Sequence, residues 1–171
     1  MPANIEIKAH ARNFAEIKTL AAALSETACE TIEQQDTFFN SPQGRIKLRQ
    51  LPAQPAQLIY YTRADQNGPK RSEYQLVQTG DPENLKTVLS LAYGVRGVIR
   101  KTRYLYRVGQ TRIHLDDVSG LGQFLELEVA MQPGQTDSQG QAIAEDLMQK
   151  LGVSPDDLIE GAYMDLFEGK M

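Results

Sequence analysis

Charged residues recur at a spacing of two along this chain: Glu6 and Lys8, Lys47 and Arg49, Lys101 and Arg103, Glu126 and Glu128. In an extended strand, residues i and i+2 share a face, so each pair presents two charges to the same side. Basic pairs suit an anion, because Arg grips phosphate bidentately and Lys binds it as a point charge. Paired carboxylates are hard oxygen donors that suit Mg²⁺ or Mn²⁺. Together they describe a site for a polyphosphate bridged by a divalent cation.

Each charged row has an aliphatic back. Glu6 and Lys8 oppose Ile5 and Ile7, and Arg45, Lys47 and Arg49 oppose Ile46 and Leu48. Arg112, His114 and Asp116 oppose Ile113 and Leu115, while Glu126 and Glu128 oppose Leu125, Leu127 and Val129. Arg63 and Lys70 flank a turn at Asp65–Pro69. Taken singly, each strand reads as an ordinary half-exposed one, aliphatic side inward. Taken together, the segregated signs and the apolar stripes of the predicted helices favour the reverse: helices cover the aliphatic faces, and the charges line an interior. Two like charges about 6 Å apart at an effective dielectric of about 20 repel by roughly 3 kcal/mol. Glu6, Asp116, Glu126 and Glu128 are too few to neutralise Arg45, Lys47, Arg49, Arg63, Lys70, Lys101, Arg103 and Arg112, so an anion is expected among them. His114 is expected to be a neutral hydrogen-bonded wall residue, with a proton shuttle as the alternative.

The elements that must position these rows are mostly strands. Alternation marks residues 4–10, 36–39, 45–50, 58–64, 70–77, 98–108, 111–118 and 123–131. Gly109-Gln110 and Ser119 to Gly122 read as tight turns, which makes the last three strands antiparallel neighbours. Helices are expected from a cap at Asn13 through Leu24, from Asp81-Pro82 to near Gly94, and over 138–151. A last helix is expected to start at Ser154-Pro155 and to carry Leu158, Tyr163, Leu166 and Phe167. So much strand predicts an α+β protein built on a closed antiparallel sheet, and without any linker residues 1–171 read as a single domain.

Composition sets outer bounds. The net charge of −4 argues against a nucleic-acid binder, although the basic residues concentrate between Arg45 and Arg112. The lone cysteine, Cys29, excludes an internal disulfide, fits a reducing cytoplasm and reads as a small buried hydrophobe. No apolar run reaches membrane-spanning length, and the Met-Pro-Ala-Asn start carries no secretion signal.

The order and spacing of several segments resemble the CYTH domain, or triphosphate tunnel metalloenzyme, family over essentially the whole chain. They are Asn4 to Lys8, Gly44 to Arg49, Tyr61 to Arg63, Gly68 to Lys70, Arg100 to Arg103, Arg112 to Asp116, Phe124 to Val129 and Gly161 to Tyr163. The resemblance implies an eight-stranded antiparallel β-barrel tunnel, with helices packed outside, that binds a triphosphate and Mg²⁺ or Mn²⁺. By position, Glu6, Glu126 and Glu128, with Asp116, match the metal-binding acids. Lys8, Lys47, Arg49, Arg63, Lys101 and Arg103 match the phosphate-binding bases. The implied activity is metal-dependent hydrolysis of inorganic tripolyphosphate or an organic triphosphate, with Glu6, Lys8, Glu126 and Glu128 as the catalytic set. A class IV adenylyl cyclase and a non-catalytic polyphosphate- or nucleotide-binding module are the alternatives. The expected partner is a triphosphate-bearing small molecule, without nucleic acid or membrane; a homodimer is left open. Glu126→Gln and Glu128→Gln are expected to abolish turnover while sparing, or even stabilising, the fold. Two positions depart from the family pattern. Asn4 stands at the first acid of Glu-x-Glu-x-Lys, and Ala162 replaces a serine before Tyr163 in a tail expected to close one mouth of the tunnel.

Overall fold

The computed structural model describes residues 1–170. Its strands are β1 (Ala3–His10), β2 (Glu30–Phe39), β3 (Arg45–Gln50), β4 (Ala56–Arg63), β5 (Lys70–Thr79), β6 (Val95–Val108), β7 (Thr111–Val118) and β8 (Gly122–Ala130). They close in the order β1-β5-β4-β3-β2-β6-β7-β8, every neighbour antiparallel. The expected closed antiparallel barrel is therefore present, and closure leaves no open sheet edge.

Four helices sit outside: α1 (Phe14–Leu24), α2 (Pro82–Tyr93), α3 (Asp137–Lys150) and α4 (Tyr163–Gly169). The aliphatic backs of β1, β7 and β8, from Ile5 and Ile7 to Leu115 and Leu127, pack against Ile17 and Ala21 of α1 and Ala144 and Leu147 of α3. Gly140 permits the close approach of α3, since a Cβ there would lie 2.6 Å from Ile5 Cγ1 and 2.5 Å from Met131 Sδ. Leu85 and Leu89 of α2 cover Phe39 and Leu48. With these faces of β1, β2, β3, β7 and β8 committed to helices, period two turns their charged rows inward.

Three expectations are corrected. The first half of β2 was not legible, because Glu30 to Gln35 is nearly all polar and shows no alternation; it pairs with β6 all the same. The last predicted helix is broken: a 3₁₀ turn at Pro155–Asp157 gives way to extended chain, and α4 starts only at Tyr163. In between, Leu158 bridges Ala9 and the Ile159 amide donates to the Lys8 carbonyl at 2.9 Å, so the segment is drawn onto β1. Cys29 is exposed rather than buried, because it lies in the link between α1 and β2 and no helix covers it. At a finer level, Asn13 caps α1 without a side-chain bond to the backbone, and its amide donates instead to Glu16 at 2.6 Å.

A charged cavity inside the barrel as candidate active site

The inward rows meet in one cavity of about 330 Å³. Seven cations line it (Lys8, Lys47, Arg49, Arg63, Lys101, Arg103 and Arg112) together with four carboxylates, Glu6, Asp36, Glu126 and Glu128. Register explains the convergence. Lys8 faces Glu126 across β1 and β8, Arg112 faces Glu128 and His114 faces Glu126 across β7 and β8, and Arg49 faces Asp36 across β2 and β3.

Every one of these cations has an acid. Arg49 grips Asp36 with Nε and Nη2 at 2.9 Å each, and Lys47 Nζ reaches the same carboxylate at 3.1 Å. Arg63 Nη1 lies 3.1 Å from Glu6, and Arg112 Nη2 lies 2.9 Å from Glu128. Lys8 Nζ stands 3.0 Å from Glu126 Oε1 and Arg103 Nη2 stands 3.0 Å from Glu126 Oε2. Sharing is the rule, so cations outnumber the acids that hold them. Asp36 carries much of this load and was missed from sequence, because its strand gave so weak a pattern.

The expected metal ligand Asp116 is placed differently. It is fully buried behind the wall, where Arg103 Nε and Nη2 donate to its two oxygens at 2.7 Å each. Lys101 Nζ at 2.8 Å and the Tyr163 hydroxyl at 2.9 Å also donate to it. With four donors on two oxygens, Asp116 buttresses Lys101 and Arg103 instead of facing the cavity. Two expected phosphate ligands also stand apart. Arg45 sits at the barrel's rim, held by Asp65 at 2.8 Å and Asp165 at 3.3 Å. Lys70 is buried, and its Nζ donates to the carbonyls of Gln66 at 2.7 Å and Ile159 at 3.4 Å.

The tail lies across one end. From Ile159 to Tyr163 it contacts β5 through Lys70, β4 through Arg63 (Nη2 to the Gly161 carbonyl at 2.7 Å), and β7 through Asp116. Lys8 and Lys101 stand over the Tyr163 ring at 3.7 and 4.6 Å from its centroid. Ala162 and Tyr163 are thus part of the cavity lining. Arg96 fastens the helix beyond them, bonding Asp165 at 2.6 Å and Glu168 at 2.7 and 2.8 Å. The strands continue the lining with Ile32, Gln57, Tyr74, Leu76 and Leu105, joined by Leu51 just after β3.

Burial and neighbours set the protonation of the site. Burial raises the Asp36 carboxyl, but Arg49 and Lys47 outweigh it and hold Asp36 well below the usual range. Burial also opposes the charge on Glu126, yet Lys8 and Lys101 keep this group well below its ordinary value. In the same way, burial works against the charge on Glu128 while Arg112 and Arg103 help to keep it below its ordinary value. Glu6 goes the other way, raised by burial and by Glu128. Burial pushes Lys47 down to about 8 despite Asp36. His114 is lowered by burial and then by Arg103, which keeps the imidazole neutral at pH 7, but the hydrogen bond expected of it is missing at Nδ1. Its Nδ1 lies 3.6 Å from Glu126 Oε2 and 3.9 Å from Glu128 Oε1. These three residues, among those described, group their donor atoms within 4.8 Å of one another and could hold a metal ion.

The sequence profile of the CYTH domain matches residues 2–163. A curated relative, the adenylate cyclase CyaB of Aeromonas hydrophila, is 26% identical over 157 residues, which cover 87% of this chain and 80% of that protein. Among solved structures, the PH1012 protein of Pyrococcus horikoshii superposes with a TM-score of 0.85 at 24% identity, covering 95% of this chain and 98% of its own. The putative adenylyl cyclase HpAC1 of Hippeastrum, described as having a dominant triphosphatase activity, superposes with a TM-score of 0.70 at 16% identity, over 99% of this chain and 96% of its own. At these identities the structural matches speak for the fold. Among the described residues, no helix is long and apolar enough to cross a membrane.

Proposed function

The chain belongs to the CYTH domain family, and from that premise we propose that it hydrolyses the terminal phosphoryl group of a triphosphate, inorganic or organic, with Mg²⁺ or Mn²⁺. The observation that carries this reading is the convergence of seven cations and four carboxylates on a single cavity inside the barrel. No solvated sheet face needs such an arrangement, and a buried cluster this rich in cations is stabilised by a polyanion. The donor set fits a metal as well: Glu126 and Glu128 are held ionised, and Glu6 stands beside Glu128 across β1 and β8.

In this reading Lys47, Arg49, Lys101, Arg103 and Arg112 grip the phosphate chain, and Lys8 and Arg63 meet it near the tail. Glu126 and Glu128, with Glu6, would hold the metal, and the chemistry it would supply there is charge neutralisation and activation of water. Asp116 fixes Lys101 and Arg103 in line with the phosphates without touching them. Water attacks the terminal phosphorus, the anhydride P–O bond breaks, and orthophosphate leaves beside the shortened substrate. Because the cations are already oriented by acids, little reorganisation is needed as charge develops. The lone exposed thiol suits a reducing cytoplasm.

A cyclase is the second reading, favoured by the name of the curated relative and by the apolar lining at Ile32, Leu51, Tyr74 and Leu76, which could seat a base. There the ribose hydroxyl attacks the α-phosphorus and diphosphate departs. Incubation with tripolyphosphate, thiamine triphosphate and ATP, each with Mg²⁺ or Mn²⁺, separates the readings. Orthophosphate release supports hydrolysis. Cyclic AMP without orthophosphate replaces it with the cyclase, and tight binding without turnover in either metal reduces the chain to a binding module.

A further inference from the structure

We propose that His114 is itself a metal ligand, so that His114, Glu126 and Glu128 form a mixed nitrogen–oxygen site preferring first-row transition ions such as Mn²⁺ or Co²⁺ to Mg²⁺. The inference rests on the reading of the cavity as a metal–triphosphate site and names which ion that site takes. Its starting point is an orphan: His114 Nδ1 is buried and has no hydrogen-bond partner, in a side chain only 5% exposed. A buried imidazole nitrogen left without a partner is an unfavourable arrangement that native structures rarely tolerate without a reason. This one is aimed between two carboxylate oxygens, 3.6 Å from Glu126 Oε2 and 3.9 Å from Glu128 Oε1. Donors around an ion bonded at about 2.1 Å stand roughly 3 to 4 Å apart, which the three atoms already approach.

The first strand points the same way. Asn4 lines the cavity where an acid would add charge, and Glu6 is engaged by Arg63 at 3.1 Å. β1 thus offers a single carboxylate, and the other donors that can meet an ion lie on β7 and β8, where Glu126 also meets Lys8 and Arg103. The Glu128 oxygen nearer His114 is Oε1, whereas Arg112 bonds Oε2, so one oxygen stays available to an ion. Imidazole is a borderline donor that transition ions accept readily, whereas Mg²⁺ prefers oxygen and keeps its waters. A His–carboxylate–carboxylate set therefore separates the two classes of ion by ligand type rather than by size.

Pulsed electron paramagnetic resonance of the full chain loaded with Mn²⁺, alone and with a methylene-bridged triphosphate, tests this. Directly bound imidazole should give ¹⁴N modulation that changes to the ¹⁵N pattern when histidine is labelled. The chain has two histidines, and His10→Gln should keep the signal while His114→Gln loses it. Titration calorimetry should find Mn²⁺ bound at least about tenfold more tightly than Mg²⁺, a gap that closes in His114→Gln. The labelled wild-type chain decides the matter even if His114→Gln fails to fold. Mn²⁺ bound without nitrogen modulation, or an equal preference for Mg²⁺, overturns the inference and leaves the metal-dependent triphosphatase standing. Undiminished turnover in excess chelator, with no Mn²⁺ bound, overturns both.

Discussion

Asp116→Asn distinguishes a buttress from a metal ligand, because the two roles predict different losses. The substitution keeps size and shape and removes the charge that holds Arg103 by two bonds of 2.7 Å and Lys101 by one of 2.8 Å. All three side chains are at most 5% exposed, so solvent cannot replace the lost anion. Breaking a buried ion pair from one side costs about 3–5 kcal/mol. For a domain of this length, each kcal/mol is about 2–4 °C of melting temperature, so a fall of roughly 6–20 °C is expected. Urea denaturation and thermal melting of both proteins provide the measurement. Tripolyphosphate should recover part of the loss, because it returns negative charge to the same two cations. The pH dependence has a fixed sign: Asp116 is depressed below its ordinary value of 3.8, so the advantage of the wild type is present above that pH and shrinks as the pH falls below it. A variant within about 1 kcal/mol of wild type that has lost only metal affinity would refute the buttress and restore Asp116 as a ligand.

Glu126→Gln should abolish metal-dependent turnover and, contrary to the sequence-based expectation, destabilise the fold by about 2–4 kcal/mol in urea, because Lys8 and Arg103 lose a buried partner. Glu128→Gln should cost less than about 1 kcal/mol, since Arg112, 35% exposed, turns to solvent. Lys47, brought to about 8 by burial, is neutral in the free protein above that pH. Triphosphate binding should therefore take up a proton at pH 9 but not at pH 6.5, seen by calorimetry in buffers of different ionisation enthalpy, and Lys47→Arg should lose the effect. Tyr163→Phe deletes the hydroxyl bond to Asp116 and should cost about 1–3 kcal/mol, with faster amide exchange at Ile159 as the sign that the tail has loosened.

The faces of the strands were legible because their period is two and their chemistry is segregated: once Ile5, Ile7, Leu125 and Leu127 are committed to the outer core, Glu6, Lys8, Glu126 and Glu128 must turn inward. What spacing could not tell was depth along the barrel. Asp116 follows the same alternation as His114, yet the tail crosses at its level, and Arg103, Lys101 and Tyr163 donate to its oxygens. Lys70 and Arg45 fall out of the cavity for the same reason, each claimed near an end of the barrel by a segment distant in sequence. Asp36 was hidden because its strand is polar on both faces until Phe38. The tail itself was misread as continuous helix, since the bridge from Leu158 to Ala9 that breaks it is a contact across almost the whole chain.

The acids of this cavity explain how so many cations can share a small volume before substrate arrives. Asp36 serves Lys47 and Arg49, Asp116 serves Lys101 and Arg103, and Glu126 serves Lys8 and Arg103. Each shared acid leaves its cations only partly neutralised, so the wall keeps an excess of positive charge at fixed positions. A polyanion entering the cavity would meet side chains that need not be reoriented and would gain charge-assisted bonds. The arrangement also sorts the acids by task. Asp36 and Asp116 are saturated by donors and stay with their cations, whereas Glu128 retains an oxygen that no cation bonds and lies beside the unpartnered nitrogen of His114. Under the proposed reading, positive charge for the phosphates and open donors for a cation would occupy adjoining parts of one lining, as a metal–triphosphate complex requires.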